Sequence, residues 1–161
     1  MTITSVQQDP EAATLTVVTQ LAASPEEAWR LWADPRRLER WWGPPTWPAT
    51  FETHDLAPGG SATYSMTGPE GERARGWWRF TEVDAPHLLA FEDGFADDEG
   101  RPADGPVTRM RAVLEAADGG TRMTLTSTFA SPQDMQGLVA MGMVEGLQEA
   151  LSQIDGLLVA A

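Results

Sequence analysis

Few residues in this sequence could do chemistry, and their spacing narrows the options further. His54 and His87 are the only histidines and stand 33 positions apart. A metal site draws on several His or Cys ligands at short spacing, so no metal is expected. Cysteine is absent, and all 11 basic residues are Arg, with no Lys. Disulfides, thiolate ligands, Cys nucleophiles and Lys Schiff bases are therefore excluded, leaving Ser, Thr or carboxylate for covalent chemistry. His87 follows a turn proline and is expected at the surface. His54 sits on a strand with parity opposite to Phe51 and Thr53, and is a minor candidate for lining or catalysis. Glu52 and Glu82 could act as general bases if burial raised their pKa. Asp93, Asp97, Asp98, Glu99 and Asp104 cluster without calcium-loop spacing and are read as a solvated loop. Arg75, Arg79, Arg109 and Arg111 alternate on two strands, which predicts an exposed, acid-paired sheet face; one Arg reaching a ligand carboxylate is the alternative. No nucleophile elbow, phosphate loop or dinucleotide fingerprint is present, and no cofactor is expected.

The informative residues are apolar. Seven Trp and seven Met occur in 161 residues. Some of the Trp (Trp29, Trp32, and Trp77 or Trp78) suit a plain core. Met is soft and adapts to varied apolar shapes, and Met66, Met110, Met123, Met135 and Met143 fall at inward positions. Trp41, Trp42 and Trp47 lie in a proline-rich stretch, where Trp41 or Trp42 either plugs the core or gates a pocket.

Positioning these residues requires a sheet and a helix. Residues 13–21 alternate, with Leu15, Val17, Thr19 and Leu21 on one face, as in a half-buried strand. Ser24-Pro25-Glu26-Glu27 has the cap, first-turn proline and acidic residues of a helix start. Asp34-Pro35 caps a second short helix that ends at Gly43-Pro44-Pro45. Strands are expected near 51–56, 62–66, 75–83, 88–92, 107–115 and 122–129, and an exposed loop over 94–106. Ser131-Pro132 opens a helical pattern in which Met135, Val139, Met143, Leu147, Leu151, Ile154 and Leu158 share a stripe. One helix over 132–159 would be about 40 Å long. Residues 1–11 read as a flexible lead-in, and 12–161 as a single domain. The layout is α+β: a curved antiparallel sheet of six to seven strands around a long C-terminal helix, with two short helices after the first strand.

The segments from Ser24 to Pro35 (Ser-Pro-Glu-Glu-Ala-Trp-Arg-Leu-Trp-Ala-Asp-Pro), Leu38 to Pro44 (Leu-Glu-Arg-Trp-Trp-Gly-Pro) and Asp55 to Gly60 (Asp-Leu-Ala-Pro-Gly-Gly) are similar to a known group. So is the stretch 76–91 with its Asp84-Ala85-Pro86 turn. Over about residues 15–158 the chain resembles the Hsp90 ATPase activator homologue 1-like group (AHSA1-like) of the SRPBCC, START or Bet v 1-like helix-grip superfamily. A Gly-Trp pair common in that group's last helix is Gly142-Met143 here.

The resemblance implies a helix-grip fold and an apolar ligand held between sheet and helix. The expected lining is Trp41, Trp42, Tyr64, Met66, Trp78, Phe80, Phe91, Met110, Met123, Leu125, Met135, Val139, Met143 and Leu147. Binding of a hydrophobic or lipid-like molecule is favoured. A polyketide cyclase or aromatase and a chaperone-ATPase activator are the alternatives the resemblance brings, and catalytic residues are not identified. A net charge of −13 repels nucleic acid and anionic membranes. No signal-peptide pattern or membrane-spanning stretch is visible, so a cytoplasmic location is expected. A homodimer is left open.

Overall fold

In the computed structural model, residues 3–159 are described. They form eight strands and five helical segments. The strands are β1 (Ile3–Asp9), β2 (Thr14–Leu21), β3 (Ala49–His54), β4 (Ser61–Thr67), β5 (Arg73–Asp84), β6 (Leu88–Ala96), β7 (Pro102–Ala117) and β8 (Gly120–Thr128). They make one antiparallel sheet in the order β1-β2-β8-β7-β6-β5-β4-β3. The helices α1 (Pro25–Ala33) and α2 (Pro35–Leu38) follow β2, and α3 (Pro132–Ala140), α4 (Met143–Ser152) and α5 (Ile154–Val159) close the chain. This is the α+β helix-grip fold, with eight strands where six to seven were expected.

The period-two pattern sets which side chains enter the core. Leu15, Val17, Thr19 and Leu21 on β2 are buried, as are Met123, Leu125 and Ser127 on β8. Ser24 caps α1 by accepting from the Glu27 backbone N–H, and Asp34 caps α2 by accepting from that of Arg36. α1 buries Ala28, Trp29, Leu31 and Trp32.

Three expectations need correction. Residues 3–9, read as a lead-in, form β1 along the free edge of β2. Main-chain pairing from Val6↔Val17 to Asp9↔Thr14 holds this polar segment, which has no strict alternation to reveal it. The region 94–106 is not one long loop. β6 continues to Ala96, Asp97 accepts backbone N–H bonds from Glu99 and Arg101, and β7 begins at Pro102. The C-terminal helix is broken rather than continuous. Gly142 adopts φ 92, a left-handed conformation that ends α3, and a second break at Gln153 separates α4 from α5.

The core is dense with aromatics. Trp32 packs edge-on to Trp41 at 4.7 Å, Trp42 edge-on to Trp78 at 4.7 Å, and Trp78 stacks on Phe91 at 4.1 Å.

Candidate functional site

Two clefts lie on the inner face of the sheet. One, of about 200 Å³, is lined by Trp42, Pro44, Tyr64, Met66, Asp93, Met110, Met143, Gly146 and Leu147. The other, of about 130 Å³, is lined by Tyr64, Asp93, Gly94, Phe95, Pro106, Thr108, Leu138 and Met143. They share Tyr64, Asp93 and Met143.

Six residues of the expected lining meet at the first cleft: Trp42, Tyr64, Met66, Met110, Met143 and Leu147. Seven others, Trp41, Trp78, Phe80, Phe91, Met123, Leu125 and Met135, are buried in the core cluster and line neither cleft. Val139 packs half-buried against that cluster. Trp41 is a plug whose indole N–H donates to the Leu31 carbonyl at 2.9 Å. Its neighbour Trp42 reaches the cleft, so the two adjacent Trp divide the roles of plug and wall. The Gln153 amide fastens this segment to the break between α4 and α5 by donating to the Gly43 carbonyl at 2.7 Å.

The polar centre is a pair. The Tyr64 hydroxyl donates to Asp93 Oδ1 at 2.8 Å. Register explains the reach: Tyr64 on β4 pairs with Gly76 on β5, and Asp93 on β6 pairs with Trp78, two residues along β5. The phenol therefore crosses β5 over a residue without a side chain. Burial pushes the Asp93 carboxyl up to about 7, against the opposing pull of Tyr64 and Trp78. Burial, followed by the Asp93 charge, pushes the Tyr64 phenol well above its usual range. The buried Trp42 and Trp78 Nε1 atoms have no hydrogen-bond partner. Their dipoles still favour the ionised form of Tyr64, and that of Trp78 the ionised Asp93.

Asp93 lies on β6 at both clefts, not in the solvated acidic loop that the sequence pattern predicts. Leu89 and Phe91 already mark the inward parity of β6, and Asp93 continues it. Ending the strand at Glu92 hid the signal. The other titratable candidates lie away from the clefts. Glu52 pairs with Arg75 at 3.0 Å and Glu82 approaches Arg111 at 3.6 Å, both carboxylates exposed. His54 is half-buried against Phe51 and Phe80, 3.1 Å from the Trp32 carbonyl through Nε2, and burial lowers its pKa. His87 is exposed. Among the described residues no cluster of His, Asp or Glu could hold a metal ion, and no helix is long and apolar enough to cross a membrane.

Residues 22–159 match the family model described as Activator of Hsp90 ATPase homolog 1-like protein. The chain belongs to this family. Several proteins with solved structures share the fold over nearly the whole chain. A protein from Mycobacterium smegmatis is 46% identical, with TM-score 0.91 and 98% of each chain covered. A protein from Arthrobacter aurescens is 52% identical, with TM-score 0.92, covering 98% of this chain and 92% of its own. A Rhodobacter sphaeroides protein is 26% identical, with TM-score 0.84, covering 98% and 100%. Among curated proteins no sequence matches this AHSA1-like chain.

Proposed function

We propose that this protein binds a hydrophobic or lipid-like small molecule in the cleft between the sheet and α4. The observation that carries the reading is the wall itself: Trp42, Met66, Met110, Met143 and Leu147 face one open space of about 200 Å³. Small-molecule sites are mostly apolar clefts with a few polar groups, usually of ~300–1,000 Å³. A space below that range suits a compact ligand, or one that extends past Met143 into the adjoining cleft. The family's fold is consistent with ligand binding, and three unbranched Met side chains let the wall follow ligands of different outline.

The test uses N-phenyl-naphthylamine, a neutral probe that fluoresces in apolar surroundings, together with native mass spectrometry of the purified protein. Saturable enhancement at one site, lost in Gly146→Leu, supports the reading. No saturable binding of the probe, with no retained small molecule in the mass spectrum, would sink it.

A further inference from the structure

Asp93 is the only charged side chain lining either cleft among the described residues. Its neighbour shows what it lacks. Glu92, on the outer face of β6, is flanked across the sheet by Arg79 and Arg109. Asp93, on the inner face, is flanked by Trp78 and Thr108. Alternation along one strand thus gives one carboxyl two cations and the next none. Among the described residues, the ion pairs of the structure involve other acids. Tyr64 donates to Oδ1 and Trp78 adds a weaker favourable interaction, and neither of these partners brings a charge.

An ionised carboxylate in an apolar cleft without a counter-ion is costly. A ligand can remove that cost by bringing the missing charge. We propose that the cleft selects an apolar amine bound as its ammonium ion, with the charge on the Asp93 carboxylate and the apolar body along Trp42, Met110 and Leu147. The inference rests on the apolar-cleft reading above and adds the head group. Trp42 and Tyr64 offer ring surfaces that attract cations. A net charge of −13 draws cationic ligands toward the molecule and disfavours anionic ones. A neutral hydroxyl could donate to Asp93 but would leave its charge uncompensated.

The groups around Asp93 settle the pH behaviour. Tyr64 from β4 is titratable, but its phenol stays protonated through neutrality. β5 presents Trp78, β7 presents Thr108, and α3 and α4 present Leu138, Met143, Gly146 and Leu147. None of these titrates, so ammonium affinity follows the ionisation of Asp93 alone.

The experiment compares phenylbutylamine, phenylbutanol and phenylbutanoate by calorimetry at pH about 8 and about 5.5. An alkylamine, like Lys, stays protonated at both. The expected result is an amine bound at least roughly tenfold more tightly than the alcohol at the higher pH. The gap should close at the lower pH and in Asp93→Asn, whose amide still accepts the Tyr64 proton and whose fold is checked by thermal melting. Equal affinity of amine and alcohol at pH about 8, tighter binding of the acid, or an amine preference that survives Asp93→Asn overturns the proposal while leaving an apolar pocket. Failure of all three ligands and of the neutral probe would remove the pocket as well.

Discussion

Tyr64 on β4 lies across Gly76 on β5 so closely that a Cβ added to the glycine would stand 2.4 Å from the phenol Cζ and hydroxyl oxygen. The absence of one methyl group therefore lets a side chain reach from one strand over the next to Asp93 on a third. Gly76→Ala should push the ring away and break the 2.8 Å hydrogen bond. A cost of about 1–3 kcal/mol is expected, as for other overpacked sites. Urea unfolding measures it, and a loss under about 0.3 kcal/mol would show that Tyr64 can settle elsewhere.

Asp93 gives the fold a pH dependence of unusual sign. Its folded carboxyl titrates near 7 rather than at its ordinary value of 3.8. The folded state therefore binds the proton more tightly than the unfolded chain. Its favourable contribution is full below the unfolded value and declines as pH rises toward the folded one. Asp93→Asn should be more stable than the parent at pH about 8, with the advantage vanishing near pH 4. The difference is on the order of a few kcal/mol. Melting temperatures of both proteins across this range decide it; a constant difference would mean Asp93 ionises as it does in water.

Gly146 lies inside α4 and lines the larger cleft, and an added Cβ would meet nothing within 4 Å. Gly146→Ala should stabilise the protein by roughly 0.5–1 kcal/mol through helix propensity alone. Gly146→Leu should keep that gain while filling the cleft and blocking the neutral probe. Stability and binding would then move in opposite directions, which calorimetry and probe titration together detect.

Leu147 and Leu151 share the apolar stripe but not the same surroundings. Leu151 is fully buried, whereas Leu147 is half-buried at the cleft wall. Leu151→Ala should cost ~2–5 kcal/mol. Leu147→Ala should cost clearly less, because part of its surface already faces open space. Equal losses in chemical unfolding would mean the cleft is closed in solution.

The fold was largely legible because its signals are local. The Ser24-Pro25 and Asp34-Pro35 caps announce the short helices, and alternation marks β2, β7 and β8. β1 stayed hidden because its polar chain is held by backbone pairing to an edge, which leaves no mark on side-chain pattern. The break at Gly142 depends on its backbone handedness, and glycine alone does not dictate that choice. Half of the site was harder for a different reason. Apolar residues such as Phe80 and Leu125 carry the same inward parity whether they face a void or a neighbour. Only the packing of other elements decides, so Trp42 and Trp41 look alike in sequence and differ in role. Asp93 was legible in principle, as the next inward position after Phe91, once β6 is allowed to run past Glu92.

The interruption at Met141 and Gly142 also divides the ceiling of the site. Leu138 on α3 overhangs one chamber, Gly146 and Leu147 on α4 overhang the other, and Met143 just past the joint borders both. A single straight rod would couple the heights of the two chambers. With a joint between them, a substitution on one segment can resize its own compartment and leave the neighbouring one intact, without rebuilding the sheet.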